Sequence, residues 1–146
     1  MVSAQWVQRL AAGVEYEGTR YSGWQRQAGA LTVQQEIERA LTQVAGHLVD
    51  VVSAGRTDAG VHALGQVCHF DVHAQRPLHG WLLGANTLLP NDIALQWVQP
   101  VEADFHARFS ARARRYRYVI CQSRVRPALQ RSQACWYRYP LDVERM

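Results

Sequence analysis

The sequence contains no lysine, since all 16 residues counted as Lys or Arg are arginine. Without lysine, the chain cannot supply a Schiff base or the phosphate-binding lysine of a Walker loop. The three cysteines, Cys68, Cys121 and Cys135, are odd in number and far apart, which fits neither a disulfide framework nor paired zinc ligands. We therefore expect reduced thiols in a reducing compartment.

Long apolar runs are also missing. No stretch approaches the roughly 18 consecutive apolar residues that a membrane helix needs, and the first residues contain neither a basic leader nor an apolar segment. With 146 residues, 48% hydrophobic and 19% charged, the composition is typical of a globular chain. We expect a cytoplasmic protein of one domain, or one domain plus the start of another, with no membrane partner.

Acidic residues are absent from one long stretch. Between Phe105 and Leu141 there are nine arginines and no Asp or Glu, whereas the rest of the chain holds seven arginines and twelve acids. Arginines that displace counterions at phosphates bind polyanions in a salt-dependent way. The stretch is thus a candidate nucleic-acid surface, although a basic run by itself is more often a solvated face.

The hydrophobic pattern predicts an α+β fold. Thr32 and Gln35 resemble a capping box before a helix that Gly46 can end. A second helix is predicted over Leu78 to Leu88, and period-two alternation or β-rich composition predicts strands over Leu10–Tyr16, His47–Ser53, Gln66–Val72, Ile93–Val101 and Arg112–Cys121. The first six elements have the order of a ferredoxin-like split β-α-β domain with an antiparallel sheet, a fold that many RNA-binding modules share.

A loop after the predicted strand His47–Ser53 concentrates reactive side chains. It reads Arg56-Thr57-Asp58-Ala59-Gly60-Val61-His62. An aspartate is ordinarily ionised at neutral pH and can act as a nucleophile, and Arg56 is a possible cationic partner. By composition alone, however, Asp58 in a glycine-rich loop is more often a turn former or a helix cap.

Two other groups of residues have side chains that could take part in chemistry. His62, Cys68, His69 and His73 are the only cluster with metal-ligand character, but strand alternation places Cys68 opposite His69 and His73, which argues against a metal site. Tyr116 and Tyr118 alternate with arginines, a combination that can stack unpaired bases beside a charged backbone. The same two tyrosines fit equally well in the core of a strand.

Six segments together resemble TruA-type tRNA pseudouridine synthases in content and order. They are residues 13–18, 21–27, 54–62, 65–70, 104–110 and 114–118. This resemblance covers essentially the whole chain and implies isomerisation of uridine to pseudouridine in the anticodon stem-loop of tRNA, at positions 38 to 40. It implies a homodimer that binds tRNA and requires no metal or redox cofactor.

The resemblance also assigns roles to residues. It implies that Asp58 is the catalytic nucleophile, that Tyr116 lies against the target base, and that Arg56 contacts the RNA or assists base extrusion. The arginines that we expect to bind RNA are Arg108, Arg112, Arg114 and Arg115. Whether Asp58 attacks the sugar C1′, attacks the uracil C6, or abstracts a proton to form a glycal stays open.

Members of that family are much longer than this chain. Their second half, of similar fold, contributes a basic residue that pairs with the aspartate. We therefore expect a ferredoxin-like domain at residues 1–104 and, at 105–146, the arginine-rich start and first strand of a truncated second half. The alternatives are a non-catalytic RNA-binding fragment and a remnant that neither binds nor reacts.

Overall fold

The computed structural model of the protein describes residues 5–146. The chain forms two compact units, one extending through Arg112 and the other comprising Ala113–Met146. Residues 105–112, the beginning of the arginine-rich stretch, lie with the first unit. No helix within residues 5–146 has the length and apolar character needed to cross a membrane.

The first unit is a four-stranded antiparallel sheet with two helices. Its elements are β1 (Gln8–Tyr16), α1 (Val33–Ala45), β2 (Val52–Ser53), β3 (Ala63–Val72), α2 (Leu78–Leu88) and β4 (Ile93–Pro100), with a short 3-10 helix at Gly18–Arg20. The strand order is β2-β3-β1-β4. This arrangement confirms the predicted α+β fold, and it makes β1 a central strand paired with both β3 and β4.

Side-chain alternation divides the sheet into an apolar and a polar face. Leu10 lies opposite Phe70 in the ladder between β1 and β3, and both are buried in the core that the helices contribute to. One residue earlier in β1, Arg9 lies opposite Asp71 and forms an ion pair with it on the other face. Successive side chains of a strand point to opposite faces, so the period-two pattern of β1 and β3 is explained directly.

The predicted boundaries of α1 are confirmed. The Thr32 hydroxyl accepts a hydrogen bond from the Gln35 amide at 3.4 Å, which satisfies one of the free N–H groups of the first turn. Gly46 follows the helix with φ of 74°, the left-handed conformation that ends many helices. The prediction for α2, Leu78–Leu88, is confirmed as well.

The strand predicted over His47–Ser53 was wrong in extent, since only Val52–Ser53 is a strand. Val49 and Val51 are buried, but their amides are bonded to side chains of α1 instead of to a neighbouring strand. The Val49 amide donates to the Thr42 hydroxyl at 3.0 Å, and the Val51 amide donates to the Glu38 carboxylate at 3.0 Å. Because side chains of α1 satisfy these donors, residues 47–51 do not hydrogen bond to a neighbouring strand through them.

The second unit is small and contains short elements. They are β5 (Ile120–Gln122), β6 (Cys135–Tyr137) and a 3-10 helix at Val143–Arg145, and the two strands pair in parallel. The strand predicted over Arg112–Cys121 was therefore wrong in its bounds. Residues 112–119 pair with no strand in the described part of the chain, and Tyr116 and Tyr118 are 72% and 80% exposed, so the core position considered for them is excluded here.

Candidate functional site

The loop that carries Asp58 connects β2 to β3 at one end of the sheet. Hydrogen bonding between these strands continues slightly past β2, because the Ala54 amide donates to the Val67 carbonyl at 2.8 Å. Residues 55–62 then leave the sheet before β3 begins at Ala63. Asp58 and Arg56 are exposed, whereas Thr57 between them is half-buried.

Two glycines from the segment after β1 lie directly against this loop. A Cβ atom on Gly18 would come within 2.0 Å of the Val61 carbonyl oxygen, and one on Gly23 would come within 2.6 Å of the Thr57 carbonyl oxygen. Gly23 also has φ of 85°, which side-chain-bearing residues rarely adopt. Both positions therefore require glycine so that the two backbones can approach each other.

Backbone hydrogen bonds hold the loop against the same segment. The Trp24 amide donates to the Thr57 carbonyl at 2.9 Å, and the Gly60 amide donates to the Tyr21 carbonyl at 3.3 Å. Within the loop, the Val61 amide donates to the Asp58 carbonyl at 3.1 Å. Asp58 is thus flanked on both sides by peptide groups whose positions are set by residues 21–24.

Two side chains complete the attachment of the loop. The hydroxyls of Tyr16 and Thr57 are hydrogen bonded at 2.7 Å. On the other side of Asp58, Nδ1 of His62 accepts a hydrogen bond from the Gly18 amide at 2.9 Å. Because Nδ1 acts as an acceptor, that nitrogen carries no proton in this arrangement.

The Asp58 carboxylate itself is open to solvent. Among the ion pairs within residues 5–146, none involves Asp58 or Arg56, so the partnership considered for these two residues is not formed. The carboxylate is therefore available to an external group. Its direction is set by the held backbone rather than by a salt bridge of its own.

The histidines and the cysteine considered as metal ligands have separate hydrogen-bond partners and environments. Cys68 is buried on the helix side of the sheet, and burial raises the pKa of its thiol to about 12. The His69 ring accepts a hydrogen bond from the Ala107 amide, and the His73 amide donates to the His47 ring at 3.0 Å. Within the described residues, no three His, Cys, Asp or Glu side chains are grouped as a metal site.

The segment that contains Arg108 is anchored on the polar face of the sheet. Arg9 donates to both oxygens of Asp71, at 2.8 and 2.9 Å, and to the Phe105 carbonyl at 2.8 Å. The Ala107 amide donates to Nδ1 of His69 at 3.0 Å, and Ala107 is buried. Arg108 is exposed, and its guanidinium carbon lies 5.8 Å from the centroid of the Phe109 ring.

His69 depends on its surroundings to remain a hydrogen-bond acceptor. Burial, as the largest cause, together with electrostatic interactions with Arg9 and His106 lowers the pKa of His69 to about 4, while Asp71 opposes this shift. At neutral pH the ring is therefore neutral. Sequence reasoning missed both Arg9 and His69 as anchors, although their positions on the polar face of β1 and β3 could have indicated them.

The remaining residues predicted to bind substrate lie at the boundary and in the second unit. Arg112 is exposed and ends the first unit, whereas Arg114, Arg115 and Tyr116 belong to the second unit and are also exposed. The structure places Asp58 and Arg56 on one loop, and Arg114, Arg115 and Tyr116 on one segment without regular secondary structure.

Comparison with known proteins gives a consistent result. Residues 12–110 match a family model described as tRNA pseudouridine synthase. Proteins named tRNA pseudouridine synthase A are 56% identical over 139 residues in Alcanivorax borkumensis, 55% over 138 in Klebsiella pneumoniae and 54% over 138 in Coxiella burnetii. Each alignment covers 94% of this chain and 52%, 51% or 53% of the relative, so the chain spans about half the length of these curated relatives.

Proposed function

The chain belongs to the tRNA pseudouridine synthase family, and from that premise we propose that the protein containing it converts uridine to pseudouridine in the anticodon stem-loop of tRNA, at positions 38 to 40. Asp58 is the nucleophile. The observation that carries this proposal is the exposed carboxylate of Asp58 on a loop whose backbone is fixed on both sides by the segment after β1.

The chemistry is an isomerisation. The bond between uracil N1 and ribose C1′ breaks, a bond between C5 and C1′ forms, the proton on C5 is lost, and N1 gains one. Substrate and product have the same composition, so no oxidant or reductant is consumed. A carboxylate whose direction is held by its backbone can be presented to the reacting nucleotide in a fixed orientation.

The target base has to leave its stack before Asp58 can reach it. Extrusion costs a few kcal/mol, which contacts to the RNA must offset. Tyr116 supplies an exposed ring for stacking, and Arg56 lies two residues from the nucleophile. The phosphate contacts are assigned to exposed arginines: Arg108, Arg112, Arg114 and Arg115.

The family resemblance further supports a cytoplasmic homodimer, in which the arginine surfaces of two subunits form clefts for tRNA. Light scattering coupled to size-exclusion chromatography of the full-length protein tests whether it is a dimer. A monomer that retains full activity would contradict it.

The experiment for the proposed reaction measures pseudouridine in an unmodified tRNA transcript after incubation with wild type or Asp58→Asn. We expect the substitution to reduce the rate at least roughly a thousandfold, while affinity for tRNA stays close to wild type. Asp50→Asn is the matched control, because Asp50 is also exposed and its one ion pair among the described residues, with Arg26 at 3.3 Å, involves no residue of the loop 55–62. Activity that survives Asp58→Asn would refute the assignment.

A second candidate is favoured by the length of the match. Since the chain spans about half of its relatives and keeps the acid-free arginine stretch, these 146 residues by themselves bind structured RNA without reacting. This predicts an affinity that falls steeply with salt, is unchanged by Asp58→Asn, and is accompanied by no product. Product formed by the 146-residue chain alone would exclude this reading.

A further inference from the structure

Thr57, the residue directly before Asp58, is held through both its backbone and its side chain. Its carbonyl accepts the Trp24 amide at 2.9 Å, and its hydroxyl is bonded to the Tyr16 hydroxyl at 2.7 Å. Two attachments at one residue restrict the rotation of its peptide groups. The Cα–Cβ direction of the next residue, Asp58, is thereby restricted as well.

Tyr16 is itself one of the most firmly placed residues of the sheet. It is the last residue of β1, where it lies opposite Ala63 of β3 and Ile93 of β4. Its side chain is only 2% exposed, and its ring packs against that of Trp24 with centroids 5.9 Å apart. The Tyr16 hydroxyl is therefore a fixed point, positioned by the central strand and by a buried aromatic contact.

Among residues 5–146, the Asp58 carboxylate forms no ion pair, so within this part of the protein its placement relative to the sheet depends on the backbone to which it is attached. A displacement of about 1 Å at a reacting group can slow a reaction as much as a hundredfold. A contact that fixes this backbone can therefore affect the reaction without touching the substrate.

We propose that Tyr16 is a positioning residue for the reaction, acting through the hydroxyl of Thr57 to hold Asp58 in its reactive direction. This inference rests on the proposed function. It differs from a purely structural role, in which the Tyr16 hydroxyl would contribute to folding stability and removing it would leave turnover by the folded protein unchanged.

The test uses Tyr16→Phe, Thr57→Val and the double variant in the protein that contains this chain. Single-turnover formation of pseudouridine is measured with saturating enzyme, together with affinity for the tRNA transcript. We expect each single variant to be roughly tenfold slower with affinity changed less than about twofold. The double variant should be no slower than either single one, because all three lose the same hydrogen bond.

Two further variants separate positioning from stability. Thr57→Ser keeps the hydroxyl and should restore a rate near wild type. Thr42→Val removes a hydroxyl that accepts the Val49 amide on α1, away from the loop, so it should lower stability and leave the rate unchanged. A wild-type rate in Tyr16→Phe, additive losses in the double variant, or an equal slowing in Thr42→Val would each overturn the inference.

Hydrogen exchange provides a measurement that does not depend on activity. In Tyr16→Phe, the amides of Trp24 and Val61, which donate to Thr57 and Asp58, should exchange several-fold faster while those of α1 are unchanged. If the wild-type protein forms no pseudouridine, the proposed function fails, and exchange still decides whether Tyr16 holds the Asp58 loop. Faster exchange confined to the loop supports that role, and unchanged exchange overturns it.

Discussion

Replacing Gly23 by alanine, with Gly29→Ala as a matched control, tests whether the close approach of Gly23 determines the position of Asp58, the proposed nucleophile. Both glycines have positive φ, 85° and 74°, and they lie in the same connection between β1 and α1. A Cβ at Gly29 would meet no described atom within 4 Å, whereas a Cβ at Gly23 would meet the Thr57 carbonyl oxygen at 2.6 Å. The pair therefore differs mainly in contact with the Asp58 loop.

The expected losses of stability and turnover follow from the positive φ of both glycines and from the contact that only a Cβ at Gly23 would make with the Thr57 carbonyl. Left-handed backbone costs an alanine about 1 to 2 kcal/mol, so both variants should lose about that much unfolding free energy. Gly23→Ala should lose a further 1 to 3 kcal/mol, roughly, because its Cβ must displace a backbone carbonyl that is hydrogen bonded to Trp24. The displacement is passed to Asp58, so we also expect turnover to fall roughly tenfold or more.

Denaturant unfolding and single-turnover pseudouridine formation measure the two effects separately. Gly29→Ala should lose stability with turnover unchanged once the protein is folded. Equal losses of stability and turnover in the two variants would refute the reasoning, because contact with the Asp58 loop would then have no effect of its own.

Two further predictions concern buried titratable groups. The pKa of His69 is about 4 in the folded protein, against 6.5 for an ordinary histidine, so between these two pH values the unfolded state binds a proton that the folded state does not bind. The free energy of unfolding should therefore drop by up to roughly 3 kcal/mol as the pH falls from 6.5 to 4. His69→Asn keeps an acceptor for the Ala107 amide without titrating and should flatten that part of the curve, and parallel curves for the two proteins would contradict this explanation. A thiol reagent at pH 8 should label Cys135, which is exposed, at least roughly a hundredfold faster than Cys68, since burial both shields the Cys68 thiol and raises its pKa to about 12. Equal labelling rates in the native protein, read by mass spectrometry of peptides, would contradict the buried position of Cys68.

Local patterns were sufficient for most of the first unit. The apolar face of α1, its cap at Thr32 and its end at Gly46 are encoded within one short segment, so the helix could be predicted closely. The alternation in β1 and β3 likewise indicates a sheet with one apolar face, which packs into the hydrophobic core. These elements are predictable because their residues contact a core that any ferredoxin-like arrangement would provide.

The two inaccurate predictions share a physical cause. His47–Ser53 has β-rich composition, but Glu38 and Thr42 of α1 take up the hydrogen-bond donors at Val51 and Val49. The segment after Arg112 alternates aromatic and basic residues, yet only Ile120–Gln122 finds a partner strand. A strand requires a neighbouring strand with which to form hydrogen bonds, and the sequence of the segment alone does not show whether such a neighbour is available.

By itself, the sequence determined the order of the helices and strands of the first unit and the concentration of arginine after residue 105, and its family resemblance led to the proposal that Asp58 is the nucleophile. Only the tertiary structure decided how that residue is held. Tyr16, Gly18, Gly23 and Trp24 all come early in the chain, and their contacts with the Asp58 loop exist only after β1 and β3 have paired. Hydrogen bonds and close backbone contacts between distant segments depend on coordinates in space, so no local pattern can specify them.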